Sequence, residues 1–523
     1  MAASPHLGFG KMRNVDIESF PGAVKAQKSP ISVFTAAFSQ TFTANAVNNR
    51  CTTTAGTMPD TATAVYLTTT GTLPAGLATA TVYFVINVSN TICTLATTIA
   101  NANSNIEIDI TDAGSGTHTI QIVAPGTVRH IVEADGGATL FFIDSNGRVW
   151  YLDSGASRAL LLVNSALDNG SAALANANGQ GVITFNNRND SNTFLFAFRN
   201  ASIDVVPIQT TAQLEAPSWT NAWQAMNTGA TGGNSHHAIK AQDNIIYYCD
   251  DSFIGTIAEV AGQNFAPATG ATFTFTQDAL DLPRSEVANW LDEHGINVII
   301  AGDTTNQIYP WDRTSASYNI PIKTPEQEVE RIKNIGGTIY ILCGTRGNIY
   351  ISQGEYCEFL AKIPDYLSNN SATLLSNPVT WGGIAERQGA LIFGVSTQTS
   401  GNSGTYLLYS DGRLVHDNIP STGSAQVNAL WADTEYYRQG YASGADNMNT
   451  SRYANLECIV ETELMRVATE KNKASYHELE VITAKPAANG QIRILYRDNT
   501  NEATAFTTIT TFTADGSTER FTA

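Results

Sequence analysis

The feature that most constrains this chain is a short pattern that recurs along it. In residues 337–352 an apolar run, 339–342, passes through a glycine-rich link into a second apolar run, 349–351. Two β-branched and aromatic runs joined this way read as a β-hairpin. The pattern also occurs at residues 139–152, 193–206, 245–257, 298–309 and 405–415. Between the first apolar residues of successive copies (Leu140, Phe194, Ile245, Val298, Ile339, Tyr406) the spacings are 54, 51, 53, 41 and 67. Hairpins repeating every 40–50 residues or so are the mark of propeller blades. Each unit has an apolar face that it cannot bury alone, so neighbours must stack around an axis. The expected fold is all-β, a β-propeller of six or seven blades over residues 125–425.

Strands such as 128–132 and 181–185 precede the hairpins and supply further blade strands. Residues 283–294, with Ser285 as a cap, and residues 324–333, with Thr324, Pro325 and Glu326 at helix-start positions, have partly helical character. Both stand where a blade needs its first strand. For the second, strand is preferred, because tertiary context overrides local propensity.

The flanks differ from the repeats. Residues 1–36 form an N-terminal arm and a first propeller strand, with Val15 and Ile17 alternating with acidic residues and a turn at Pro21-Gly22. Residues 37–124 hold one basic residue, Arg50, and much threonine, which suits a small inserted β domain. Insertion at a loop tip is tolerated when the loop ends stay close. Residues 426–523 contain four mostly alternating runs, 455–461, 476–482, 490–496 and 507–512, expected to form a C-terminal β-sandwich. Its first strands could instead complete the last blade.

Two blocks resemble known proteins. Residues 14–25 (Asn-Val-Asp-Ile-Glu-Ser-Phe-Pro-Gly-Ala-Val-Lys) are similar to an N-terminal stretch of certain virion proteins of tailed bacteriophages, propeller proteins of the tail hub or nozzle type. Residues 72–77, 83–85 and 108–118 resemble a small β module inserted in many phage structural proteins. Together the likenesses cover about 100 residues. They imply a structural subunit at a tail end that forms a ring with copies of itself. Such a ring would carry other tail proteins (adaptor, fibres) and let DNA pass without specific binding. Synthesis in the host cytoplasm and residence in the virion tail would follow.

Composition is compatible with that picture. The net charge of −18 argues against a protein that grips nucleic acid by its phosphates. An acidic wall can still surround DNA that must slide. Charged residues are only 15%, so Thr, Asn, Ser and Gly must dress much of the surface. The N-terminus lacks the apolar core of a signal peptide, and no apolar run is long enough to span a membrane. Cys51, Cys93, Cys249, Cys343, Cys357 and Cys458 include no C-x-x-C pair, and buried free thiols are expected.

The search for chemistry assigns no catalytic residue, cofactor or metal. His236-His237 lacks the H-E-x-x-H context of a zinc helix, and residues 228–234 read as a flexible link rather than a phosphate loop. Asp250-Asp251 and Asp292-Glu293 are turn or corner carboxylates. Glycoside hydrolysis would need two carboxyls about 5–10 Å apart, which sequence cannot place. Trp150, Trp311 and Trp381 suit a core between blades. Trp219 and Trp223, in an inter-blade loop, are candidate glycan contacts. They support the alternative reading, a propeller that binds host glycans as an adhesin.

Overall fold

The computed structural model describes residues 30–134 continuously, residues 139–447 apart from short stretches between strands, and isolated strands within residues 9–29 and 459–522. The chain divides into two compact units. The smaller comprises residues 1–13, 364–377 and 458–523. Its described strands pair antiparallel: Phe9–Arg13 with Ile459–Thr462, Glu480–Ile482 with Arg520–Thr522, and Gln491–Tyr496 with Thr507–Thr513. The sandwich packing expected for this region lies outside the described residues.

The larger unit carries a seven-bladed propeller and a separate closed six-stranded barrel. Blade 1 is Val128–Glu133, Thr139–Asp144, Val149–Asp153 and Leu160–Leu161. Blade 2 is Gly179–Asn186, Thr193–Arg199, Ser202–Pro207 and Thr220–Ala225, and blade 3 is Ala238–Lys240, Ile245–Asp250, Phe253–Glu259 and Phe273–Asp281. Blade 4 is Ala288–His294, Asn297–Gly302, Gln307–Trp311 and Ile322–Lys323, and blade 5 is Val329–Ile335, Thr338–Cys343, Asn348–Ser352 and Cys357–Lys362. Blade 6 is Thr380–Arg387, Ala390–Ser396, Gly404–Leu408 and Leu414–Asn418. Blade 7 takes Val427–Ala432, Tyr437–Tyr441 and Gly444–Asn447 from one end of the propeller sequence and its fourth strand, Ile31–Ser32, from the other. The first strand of each blade adjoins that of the next, and blade 7 adjoins blade 1, so the ring closes.

The middle strands are apolar on both faces because each face meets a neighbouring blade. All seven residues of Thr193–Arg199 are buried. Phe194, Phe196 and Phe198 join Ile246 and Tyr248 of blade 3, whereas Leu195 and Ala197 join Phe142 and Trp150 of blade 1. Five of the six sequence repeats are the second and third strands of blades 1–5. The sixth, residues 405–415, falls on the third and fourth strands of blade 6, and that slip of one strand produced the long spacing. The seventh hairpin escaped the pattern because its buried positions include Arg438, Gln439 and Asp446 rather than apolar residues. Residues 427–447 thus complete a blade beyond residue 425. The arm's strand at Ile31 comes first in the chain and last in the ring.

The two stretches of helical character are strands. In blade 4 residues 288–294 run as the inner strand, and Glu286 ends a turn rather than opening a helix. Its carboxylate accepts Thr304 N at 2.9 Å and the Tyr309 hydroxyl at 2.9 Å. Pairing with the neighbouring strand outweighs a propensity difference of a few tenths of a kcal/mol per residue.

The barrel strands follow the order His118–Ile122, Ser39–Asn45, Arg50–Thr53, Ile92–Ala96, Val82–Ser89 and Ala64–Thr69. Phe42, Val65, Leu67, Tyr83, Val85, Leu95 and Ile120 alternate inward to fill it. The two glycine-bearing turns lock together. Asp112 Oδ1 accepts Ala75 N and Gly114 N, both at 2.9 Å. Gly114 has φ +68°, and a Cβ there would lie 2.5 Å from Thr72 O, so another residue would push the turns apart.

Candidate functional site at the propeller axis

Six of the seven described blades carry a β-bulge at the same place, near the start of the inner strand. The bulged residues are Arg129, Gln180, Asn289, Glu330, the pair Gly382-Gly383, and Asn428. A bulge leaves one residue out of the ladder and re-aims its side chain. Five of the six sites are polar, and all lie near the start of the strand that adjoins its counterparts in the neighbouring blades. Sequence reading missed them because a bulge is a shift of register, invisible in composition. A polar second residue after an apolar or glycine first, in the inner strands of blades 1, 2, 4, 5 and 7, is the trace it leaves.

Below this ring the axis is filled. The His130 ring of blade 1 lies 5.0 Å from His237, at the entry to blade 3, and 6.3 Å from Trp290 of blade 4. Blade 1 does not adjoin blades 3 or 4 around the ring, so these contacts cross the axis. His237 stacks on Trp290 at 3.6 Å, and the Arg331 guanidinium of blade 5 covers the same indole at 4.6 Å. His130 Nδ1 accepts Val182 N at 3.2 Å, and His237 Nδ1 accepts Leu291 N at 3.1 Å. Burial pushes the His130 imidazolium down to about 4, with Arg331 adding to the effect. Burial also holds His237 well below the ordinary histidine range, helped by His130, Arg331 and Lys333.

Charges around the rings are paired. Arg331 donates to Gly382 O at 2.8 Å and to Glu330 O at 2.5 Å, and its guanidinium lies 3.4 Å from the Glu330 carboxylate. Asn289 donates to Glu330 O at 3.1 Å. Lys333 pairs with Asp292 at 3.1 Å, and Trp431 donates to Glu133 at 3.2 Å. Burial, with Glu330 and Glu328 nearby, raises the Asp303 carboxyl to about 6 against the opposing pull of Arg331.

Trp219 and Trp223 do not meet on one surface. Trp219 is half-buried against the blade 1–2 core, with the Arg199 guanidinium 5.3 Å from its ring. Trp223 is half-buried among Phe196, Phe273 and Phe275 at 5.7, 6.2 and 6.0 Å. Trp150, Trp311 and Trp381 are buried, and their indole N–H groups reach Asp144, Ser315 O and Gly344 O at 3.0, 2.8 and 2.8 Å. Asp292 and Glu293 serve as inter-strand and inter-blade ties. Asp292 accepts Asn334 N at 2.6 Å, and Glu293 pairs with Arg313 at 2.5 Å. Asp250 is buried at the blade 3 turn, and the carbonyl of Asp251 accepts Ala288 N of blade 4 at 2.8 Å. Cys51, Cys93, Cys249 and Cys343 are buried free thiols and Cys357 is a half-buried one. His236, residues 228–234 and Cys458 lie outside the described residues. No group of three or more potential metal ligands occurs among the described residues, and no described helix is long and apolar enough to cross a membrane.

No family model and no curated protein matches the chain. Among solved structures, the computationally designed protein Ika8 aligns with 62% of this chain and 96% of its own, at 10% identity and a TM-score of 0.38. YCF48, solved bound to a D1 peptide, aligns with 62% of this chain and 93% of its own, at 9% identity and a TM-score of 0.41. At these values neither likeness bears on function.

Proposed function

We propose that the chain is a structural subunit of a bacteriophage tail, a hub- or nozzle-like component that assembles into a ring with copies of itself. The observation that carries this reading is how the barrel is mounted. It enters the chain between the strand that closes blade 7 and the first strand of blade 1, at the seam of the ring. Arg158 of blade 1 donates to Thr61 O and to the Thr63 hydroxyl, and its guanidinium lies 3.8 Å from Asp60. Asn103 of the barrel donates to Glu215 beside blade 2 at 2.7 Å. A module fixed to two blades moves with the propeller and suits load-bearing contact between subunits. The filled axis means that any DNA path would run through a ring of subunits and not through a single propeller. The two phage-like blocks support the same reading. The adaptor, fibres and passing DNA are the partners it implies.

Light scattering with negative-stain imaging of the purified protein tests this. Closed rings, or rings that form on concentration or on addition of other tail proteins, are expected. A monomer under all of those conditions would remove the proposal.

A host-glycan-binding propeller is the second reading, and the bulged polar ring is the observation that favours it. Amide, carboxylate and guanidinium groups are the chemistry that sugar hydroxyls use. Glycan-array binding lost in Arg129→Ala but kept in Trp219→Ala and Trp223→Ala would place the glycan at the axis. The reverse pattern would return it to Trp219 and to Trp223, which lies on the fourth strand of blade 2 rather than in a loop.

A further inference from the structure

We infer that His130 and His237 form an acid-sensitive latch that holds the first four blades of the propeller together. Each imidazole accepts a backbone N–H from the next blade at Nδ1, His130 across the seam between blades 1 and 2 and His237 across the seam between blades 3 and 4. A backbone amide can only donate, so the ring proton of each neutral imidazole sits on Nε2. Protonation puts a second N–H at Nδ1, facing the amide it had accepted, and both seam bonds are lost together.

The surroundings make the charged form costly. The two rings are 5.0 Å apart. The Arg331 guanidinium lies over the same indole on which His237 stacks, and Arg129 and Lys333 add positive charge nearby. The neighbouring acids are already engaged: Glu330 with Arg331, Asp292 with Lys333, and Glu133 with Trp431. Asp303 gains a proton in the same acid range and so withdraws its negative charge as the imidazoles gain theirs. The folded state therefore favours neutral imidazoles. This stabilisation is complete above the ordinary histidine value and is lost as pH falls through it toward 4. For His130, a displacement from 6.5 to about 4 corresponds to a loss of up to about 300-fold in the equilibrium between the closed seam and a locally opened one in which the imidazole reaches water.

Hydrogen exchange followed by mass spectrometry on the full chain at pH 7 and pH 4.5, corrected for the intrinsic rate, reads the latch directly. Peptides spanning residues 179–186 and 288–294 should lose at least tenfold in protection, while the blade 5 hairpin at residues 338–352 keeps its own. Equal loss in all blades, or no loss in the two seam peptides, would overturn the inference. His130→Asn with His237→Asn keeps an acceptor near Nδ1 but cannot take up a proton, and its seam protection should not depend on pH. Persistence of the pH dependence there would also overturn it. If that double variant does not fold, the wild-type exchange map decides alone.

Discussion

At the scale of single residues, the propeller buries several charged side chains, Arg148, Asp168, Arg199 and Asp204 among them. Arg148 approaches Asp168 at 3.4 Å beside blade 1, Arg199 pairs with Asp204 within blade 2, and Arg199 Nε donates to Gly147 O at 2.8 Å between the two blades. Burial raises the Asp168 carboxyl and lowers Arg199 to about 10, so the pairs only partly offset their desolvation. Arg199→Ala should strand Asp204 and cost about 3–5 kcal/mol in urea unfolding. Arg199→Met combined with Asp204→Leu should recover most of that loss. Asp303 works in the opposite sense to the histidines. Its folded-state value, about 6, lies above the unfolded one, so the folded state holds the proton more tightly and stability falls as pH rises through that window. Asp303→Asn should therefore stabilise the protein by about 1 kcal/mol at pH 8, after allowance for solvent screening, and by little at pH 4. Comparing unfolding midpoints at the two pH values checks the sign. None of these roles was legible in the sequence. The pairing of Arg148 with Asp168 joins the blade 1 hairpin turn to the segment after that blade's fourth strand, a contact that spacing along the chain does not give.

At the scale of elements, the hairpins were legible because the middle strands are buried on both faces and read as uninterrupted apolar runs. Inner strands were less so: residues 288–294 carry Asn289 at the bulge and Asp292 and Glu293 as ties to blade 5 and to the next strands, which breaks the apolar run. Blade 7 was least legible, since its buried hairpin is polar and its last strand is borrowed from residues 31–32. That loan makes a prediction. Val33 is 1% exposed, donates to Ala445 O at 2.9 Å and accepts Ala159 N at 2.7 Å, tying blade 7 to blade 1. Val33→Asp should cost about 3 kcal/mol or more and expose residues 437–447 to protease before the rest of the ring. The barrel makes another. Ile122 N donates to Phe38 O at 3.1 Å, so the two chain ends that enter the barrel already touch. Replacing residues 39–122 with a short Gly-Ser linker should leave a propeller that melts in one transition within about 5 °C of the parent, because loop closure there costs little. Circular dichroism during heating measures it, and failure to fold would show that Arg158 needs its barrel partners.

At the scale of the whole molecule, a charge of −18 must be carried by every copy brought into a ring. Assembly of like-charged subunits should strengthen as salt screens them, so the ring fraction at 0.5 M salt should exceed that at 0.05 M, measured by light scattering. Weaker assembly at high salt would point to contacts built on ion pairs instead.

The borrowed strand also sets an order of events. It leaves the ribosome before every other propeller strand, yet the blade it completes is translated roughly 400 residues later. At about 5–20 residues per second that is a delay of some tens of seconds. During it the barrel, whose pairings are local, has time to fold, while the early blades wait with an open flank. The last bond of the ring is thus made by its oldest segment, and the nascent chain is exposed to sticking to other copies for as long as that segment has no partner.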